Sequence, residues 1–174
     1  MKHIRLSELK EYFATRNESY LINEVVELFK RFDVVKDYYT SKLSVTDSKL
    51  VLDRYKSIIT KEFFPERGFG KARLSIARKA VNDYKKVAVS NSGTIDIMLH
   101  YVENGSQFTN EYGDMDEAFY NSMEGMYEDA LKLIVKNKLA AEFEIRCREI
   151  VRNAIEGWGF KDQLEYLYDE YINR

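Results

Sequence analysis

Residues suited to anion binding lie together in one loop of the sequence. From residue 64 to residue 73 the chain reads Phe-Pro-Glu-Arg-Gly-Phe-Gly-Lys-Ala-Arg, which places flexible glycines, aromatic rings and cations just before a predicted helix. Free backbone N–H groups at a helix start, together with nearby cations, can hold a phosphate or another anion. The candidate binding residues of this loop are Phe64, Arg67, Phe69, Lys71 and Arg73.

The same loop matches neither of two common nucleotide-binding signatures. A P-loop would need glycine at Pro65 and serine or threonine at Ala72. The dinucleotide fingerprint would need glycine at Arg73 and a preceding strand. An anion site and a simple helix start therefore both stay open as interpretations.

Cations continue along the helix that follows this loop, so that residues 67–86 form a basic region. At 100° per residue, the side opposite the apolar stripe collects the residues that we call the basic face: Lys71, Arg78, Lys79, Lys85 and Lys86. Three interpretations are open. The basic face is a solvated surface whose ion pairs contribute about 0–1 kcal/mol each, a docking surface for an oppositely charged protein, or a surface that contacts phosphates of nucleic acid or a nucleotide.

Charge is unevenly distributed along the chain, although the net charge is only −2. Residues 61–86 contain eight basic and three acidic residues, whereas residues 87–131 contain nine acidic residues and no Lys or Arg. Whether these segments pair with each other or face outward stays open. Arg73 falls in the apolar sector of its helix, where its side chain either extends past the helix end or pairs with a carboxylate of the acidic segment.

A second glycine-flanked aromatic loop reads Gly157-Trp158-Gly159-Phe160. Such rings usually anchor a loop to the core. The alternative is a pocket, shared with the Phe64 and Phe69 loop, for a peptide or small ligand. We therefore add Trp158 and Phe160 to the candidate binding residues.

The residue spacing contains no catalytic constellation, and we predict neither a metal nor a cofactor. Asp96, His100 and Glu103 share one helix flank, but a set with one histidine is not a recognised metal spacing. We expect a solvated flank, or a histidine hydrogen-bonded to a neighbouring helix. Cys147 lies on an apolar helix face, where a thiol is usually inert. A hydrolase built on carboxylates would need a pocket with two convergent acids.

Helices are the elements that must position these residues. One proline, eight glycines and apolar residues recurring at intervals of three and four predict an all-α chain. The predicted helices cover residues 7–15, 17–32, 34–43, 44–64, 71–90, 94–104, 108–112, 114–136, 138–155 and 164–171, with a helix break at 104–105 and a helix N-cap at Asp114.

Short loops favour antiparallel neighbours, because they cannot carry the chain far. We predict a single domain, residues 1–174, of eight to ten short antiparallel helices in solenoid-like layers or an irregular bundle. Residues 125–131 resemble the first helix of a tetratricopeptide repeat, although no second copy follows at that repeat's spacing of about 34 residues.

The composition predicts a folded cytoplasmic protein. The 174 residues are 45% hydrophobic and 32% charged, which suits a globular chain. The single cysteine favours a reducing compartment. No run of about 18 apolar residues occurs, and the first residues reach a charge early, so we expect neither a membrane span nor a secretion signal.

Four strings of the sequence stand out, at residues 63–73, 101–105, 119–123 and 157–160. Together they resemble an uncharacterised bacterial family of small helical proteins, a domain of unknown function. The resemblance implies a small, soluble, cytoplasmic helical protein and extends over nearly the whole chain, but it carries over no active site.

We therefore expect a non-enzymatic helical module that binds an unidentified protein or peptide, with the residue 64–73 loop and the Trp158 loop as contact points. Binding of a phosphate ligand or nucleic acid through the basic region is the alternative. The sequence leaves the oligomeric state open.

Overall fold

Helices make up the regular structure of this chain. A computed structural model describes residues 3–173, which contain nine α-helices, one 3-10 turn and no strand. Residues 1, 2 and 174, the ends of the predicted domain, lie outside the described part. The all-α prediction is confirmed. The helices are α1 Leu6–Ala14, α2 Glu18–Arg31, α3 Asp33–Leu43, α4 Val45–Phe63, α5 Leu74–Val87, α6 Asn91–Tyr112, α7 Glu117–Lys136, α8 Ala140–Asn153 and α9 Phe160–Tyr171, with the 3-10 turn at Gly157–Gly159.

Helix α6, the longest at 22 residues, lies at the centre of the core. It packs against α4, α5, α7 and α8. Ile97, Met98 and Leu99 are consecutive and all fully buried, so the covered side of the helix is wider than one stripe, while the flank of Asp96, His100 and Glu103 is half-buried. No helix of the described range, α6 included, is long and apolar enough to cross a membrane.

Packing is local along the chain. Within residues 3–173, every extensive helix contact joins neighbours or next-but-one neighbours in sequence, such as α4 with α6 and α7 with α9. Stacked solenoid layers share this pattern of contacts. The helices vary from 9 to 22 residues in length, however, so the layers are irregular. Together the layers form one domain.

Helix α6 is continuous through residues 104–105, where the sequence pattern predicts a break. A Cβ at buried Gly105 would lie 2.2 Å from Sδ of Met123 on α7. The glycine therefore permits a close approach of two helices instead of ending one. Asn104 stays helical, and its side-chain amide donates to the backbone carbonyl of His100 at 2.7 Å.

Helix α5 begins at Leu74, three residues after the predicted Lys71. Residues 64–73 form a loop that returns to the end of α4, where the Ala72 N–H donates to the Glu62 carbonyl at 2.9 Å. A Cβ at Gly70 would lie 1.8 Å from the carbonyl oxygen of Phe63, so this return requires glycine.

Helix α7 begins after Asp116, and the predicted cap at Asp114 is wrong. The Asp116 carboxylate accepts a hydrogen bond from the Phe119 N–H at 2.8 Å, which is the contact of an N-cap. Asp114 instead accepts a hydrogen bond from the Tyr120 hydroxyl at 2.9 Å. Asp114 and Asp116 are both acidic residues that could cap α7. Because Asp114 is bound to Tyr120, Asp116 makes the cap.

Candidate functional site

Helix α2 carries a broad apolar stripe that is about half exposed to water. No residue of α1 or α2 is buried, and the stripe residues are between 37% and 54% exposed. A helix of a globular protein normally turns such a stripe toward the core. We call this surface the α2 face, and it consists of Leu21, Ile22, Val25, Val26, Leu28, Phe29 and Phe32.

Local interactions are enough to set the ends of α2. The Asn17 side chain accepts a hydrogen bond from the Tyr20 N–H at 2.9 Å, which caps the first turn. In the last turn, Lys30 and Arg31 approach the Glu27 carboxylate at 3.2 and 3.7 Å. The helix is therefore well specified by its own sequence, although its apolar side lacks a cover within the described chain.

Helix α3 links this N-terminal pair to the core. Within the described residues, α3 is the only element in extensive contact with α2, and α3 in turn packs on α4 and α5. The rings of Phe29 and Tyr39 meet edge to face with centroids 6.4 Å apart. The Tyr12 and Tyr20 hydroxyls lie 2.6 Å apart and hold α1 against α2. The α2 face is thus held in place at its C-terminal end.

An open groove of about 290 Å³ runs along the α2 face. Leu21, Ile22, Val25 and Val26 form its apolar lining, and the charged Glu18 stands at one end. An apolar groove beside a helix can accept the apolar side chains of another helix. The chemistry of this surface is therefore that of protein association.

A network of charges joins α4, α6 and α8 on another side of the molecule. The Lys56 ammonium lies 2.7 Å from both Asp96 carboxylate oxygens. The Arg146 guanidinium pairs with Asp96 and makes two bonds to Glu103, at 2.6 and 2.7 Å. Two acidic residues of α6 are thus neutralised by cations from its two neighbours.

The same network explains the flank of Asp96, His100 and Glu103 that the sequence singles out. Burial acts to raise the pKa of Asp96, but Lys56 and Arg146 outweigh it and hold that pKa below its ordinary value. His100 Nε2 lies 2.9 Å from the Thr60 hydroxyl of α4, which is the predicted contact with a neighbouring helix. Within the described residues no group of side chains is arranged to hold a metal ion.

A polar cleft of about 450 Å³ lies beside this network, between α6 and α8. Glu103 and Glu149 both line it, so it contains the two acids that a carboxylate hydrolase would need. Both oxygens of Glu103 are bound by Arg146, however.

Burial raises the pKa of the Cys147 thiol to about 12, which fits the predicted inert thiol.

Several cations of the predicted basic face have partners on or next to α5. Lys79 and Lys86 both pair with Asp83 of the same helix. Arg78 is half-buried, and its guanidinium donates to the Ser122 hydroxyl of α7 at 2.8 Å. Within the described residues Lys71 and Lys85 form no ion pair. No described ion pair joins residues 61–86 to residues 87–131, so these segments do not neutralise each other.

Arg73 follows neither predicted course. It precedes α5, and its guanidinium forms two hydrogen bonds with Glu62 of α4, at 2.9 and 2.7 Å. These bonds lower the pKa of Glu62, because they favour the carboxylate. The partner therefore comes from the basic segment itself, and Arg73 fastens the loop to the end of α4.

The loop of residues 64–73 combines an anchored ring and an exposed ring. Phe64 is half-buried against Phe108 of α6, with ring centroids 6.1 Å apart. Phe69 is 82% exposed, although its ring meets that of Tyr112 edge to face, with the centroids 6.1 Å apart. A separate cleft of about 230 Å³ is lined by this loop, including Arg67, Phe69, Lys71 and Arg73.

The second aromatic loop separates its two candidate residues. Phe160 is fully buried and its ring packs on that of Tyr120, with the centroids 5.0 Å apart, so it anchors α9 in the core and does not face the cleft. Trp158 is 72% exposed and lines a cleft of about 310 Å³ with Glu124. Burial raises the pKa of Glu124. Trp158 lines this cleft and Phe69 lines the cleft beside the 64–73 loop, so the two exposed rings stand in different clefts.

Three features of the site escaped the sequence analysis. Lys56 and Arg146 lie 40 and 50 residues from Asp96 along the chain, and no local spacing could join them. The α2 stripe is visible in the sequence, but a periodic pattern does not show whether a partner helix covers it. The sequence signals for the network are the shared flank of Asp96 and Glu103 and the excess of cations outside residues 87–131.

Comparison with known proteins assigns this sequence to a family. The sequence profile of a family of unknown function, DUF6155, matches residues 4–172. The chain therefore belongs to that family, and the resemblance to a helical family of unknown function is confirmed. No curated protein and no solved structure matches the chain.

Proposed function

We propose that this chain is a cytoplasmic, non-enzymatic helical module that binds another protein molecule through the α2 face. The observation that carries the proposal is the exposure of seven large apolar side chains on and beside one well-capped helix. The largest apolar patch on a typical monomeric protein covers about 300–600 Å² and is often a functional surface, and larger patches mark interaction sites.

In this proposal the residue 64–73 loop and the Trp158 loop, which the sequence favours as contact points, make only additional contacts with the partner. Phe69 and Trp158 are exposed enough to touch a partner. Each stands in a mostly polar cleft, whereas the side chains of the α2 face adjoin one another along a helix. Burial of adjoining apolar surface contributes about 25 cal/mol per Å², so the α2 face offers the larger driving force.

Phosphate or nucleic-acid binding through residues 67–86 has less support. Lys79 and Lys86 share Asp83, Arg78 docks α5 on α7, and Arg73 is bound by Glu62. Affinity for a generic DNA duplex at two salt concentrations tests this alternative. Binding that weakens steeply with salt would support it, and no binding at low salt would exclude it.

A pull-down with a matched pair of variants tests the proposed function. The tagged chain, its Val25→Lys variant and its Ile145→Lys variant serve as baits in a native lysate. Ile145 is an equally apolar residue of α8 and is 70% exposed. Lysine is a good helix former, so both variants should keep their helices.

We expect wild type and Ile145→Lys to retain the same stoichiometric partner, and Val25→Lys to lose it. A partner retained equally by all three baits would exclude the α2 face as the binding surface. Far-ultraviolet circular dichroism of each bait verifies that the helical content is unchanged.

A further inference from the structure

Trp158 is held in water by a loop that does not need it as an anchor. Phe160 already fixes this loop in the core, whereas Trp158 is 72% exposed. The Trp158 backbone lies in the left-handed region at φ +55°, which is unfavourable for a residue with a large side chain. Glycine or asparagine would occupy this position with less strain. Packing of the loop therefore does not account for the exposed indole.

The cleft beside Trp158 has an acidic lining without a cation. Helix α7 contributes Glu117, Asn121 and Glu124, whose intervals of four and three residues place them on one side of the helix. No other residue of the lining is charged. Within the described residues, neither Glu117 nor Glu124 forms an ion pair or a side-chain hydrogen bond. Two carboxylates thus face the cleft without a partner from the chain.

Glu124 is the carboxylate that the fold leaves unexplained. Glu117 is the first residue of α7, where the helix dipole favours an anion. Glu124 lies two turns further along and is half-buried. Burial raises the pKa of Glu124, and no cation or donor of the described chain opposes this effect. Because a desolvated carboxylate normally has such a partner, a cation from outside the chain would complete this site.

We propose that this cleft binds an organic cation, with its ammonium group at Glu124 and its carbon substituents against the Trp158 indole. An indole face attracts an ammonium group more strongly than the other aromatic rings do, because of its quadrupole. The side-chain amides of Asn121 and Gln163, which also line the cleft, are available to polar groups of the ligand. Uncharged apolar ligands would leave Glu124 without a partner.

The size of the cleft limits the ligand to a small molecule or a single basic side chain of a peptide. Its volume of about 310 Å³ lies at the lower end of the range for small-molecule sites, about 300–1,000 Å³. The cleft is formed by α7, α9 and the turn before α9, and α2 does not contribute to it. The inference therefore goes beyond the proposed function and does not depend on it.

Two ammonium probes and one neutral probe test the binding. Choline represents a free small cation, N-acetyl-lysine methylamide represents a basic side chain, and 3,3-dimethylbutan-1-ol is the uncharged carbon isostere of choline. Trp158 is the only tryptophan of the chain, so its fluorescence reports on this cleft. Saturation-transfer NMR of each probe at constant ionic strength provides a second measurement.

We expect at least one ammonium probe to bind saturably, and choline to bind at least about fivefold more tightly than the neutral alcohol if it is the better ligand of the two. Saturable binding of the lysine derivative alone would support the proposal and assign the cation to a peptide. Absence of saturable binding by both ammonium probes would overturn the proposal, and so would equal affinity for choline and the alcohol.

Glu124→Gln tests the carboxylate, because it removes the charge and keeps the shape of the side chain. It should weaken binding of the ammonium probe about threefold to tenfold. Glu149→Gln is the matched control, since Glu149 is an exposed carboxylate that lines the separate cleft between α6 and α8. We expect this control to bind as wild type. A Glu124→Gln variant with wild-type affinity would overturn the proposal.

Trp158→Leu tests the ring, because it keeps an apolar side chain and removes the aromatic face. By NMR the variant should bind the ammonium probe at least about threefold more weakly than wild type. Phe69→Leu is its control, since Phe69 is 82% exposed and lines another cleft. Circular dichroism verifies that each variant is folded. Unchanged binding by folded Trp158→Leu would contradict the proposal, and none of these outcomes alters the pull-down test of the α2 face.

Discussion

More than half of the residues of helix α6 are buried, whereas helix α2, whose apolar stripe is more regular, has no buried residue. Asp96 and Glu103 of α6 are paired with cations from α4 and α8, whereas Lys30 and Arg31 of α2 pair with Glu27 one turn away on the same helix. A regular amphipathic pattern therefore reports that a helix has one apolar side. It does not report whether the same chain provides the cover for that side.

The largest expected difference between the two helices is in the stability that is lost when a leucine is truncated to alanine. Leu99→Ala on α6 removes a fully buried side chain and should lower the free energy of unfolding by about 2–5 kcal/mol. Leu28→Ala on α2 removes a side chain that is 43% exposed and should cost less than about 1 kcal/mol. Urea unfolding at low protein concentration, followed by circular dichroism, measures both. Equal losses would contradict the division between a buried and an uncovered helix.

The second prediction compares one arginine of each region. Arg146→Met leaves Asp96 and Glu103 half-buried without their guanidinium, and should cost about 2–3 kcal/mol of unfolding free energy. Arg31→Met on α2 breaks an exposed pair and should change stability by less than about 0.5 kcal/mol in dilute solution. A small effect of Arg146→Met in the same assay would show that the network does not stabilise the core.

The third prediction is a pH dependence that originates at α6. Burial and the charges of Lys56 and Arg146 lower the pKa of His100, against the opposing effect of Glu103. At this histidine the unfolded chain therefore binds a proton more readily than the folded chain does. As a result, the contribution of His100 to the free energy of unfolding is complete above about pH 6.5 and declines as the pH falls.

Unfolding measured at about pH 7 and about pH 5 tests that origin. Wild type should lose more stability over this interval than His100→Gln, which removes the titrating group. The matched control is His3→Gln, since His3 is exposed near the N-terminus. An identical pH profile for wild type and His100→Gln would show that the buried histidine does not contribute.

The smallest predicted effect lies on α2 itself. Glu27→Gln removes the acceptor of Lys30 and Arg31, all of which are at least half exposed. Because such pairs are strongly solvated, the unfolding free energy should change by less than about 0.5 kcal/mol. A loss above about 1 kcal/mol would mean that α2 is more firmly folded by its charges than its exposure indicates.

The sequence was sufficient for the fold class and most helices, because helix periodicity and caps are local properties. Gly105 shows the limit of this reasoning, since glycine equally signals a helix end and a close helix contact, and only Met123 of α7 distinguishes the two. The end of helix α5 shows a similar limit, because Ser90 caps α6 instead of continuing α5.

The candidate site was less predictable than the fold. Four candidate residues of the 64–73 loop line one cleft, yet Arg73 and Glu62 meet through a turn whose path the sequence does not specify. Phe160 and Trp158 are two residues apart in one loop, and one points into the core while the other stays in water. Whether a side chain points into the core or into water depends on tertiary packing, which residue type and spacing do not encode.

The restriction of helix packing to near neighbours in sequence has a kinetic consequence. Contacts between nearby segments require little loop closure, so chains rich in such contacts fold in microseconds to milliseconds. In a layered array, each helix pair can also form on its predecessor without waiting for distant parts of the chain. We expect this chain to fold quickly from the layers around α6, with α1 and α2 joining last and unfolding first.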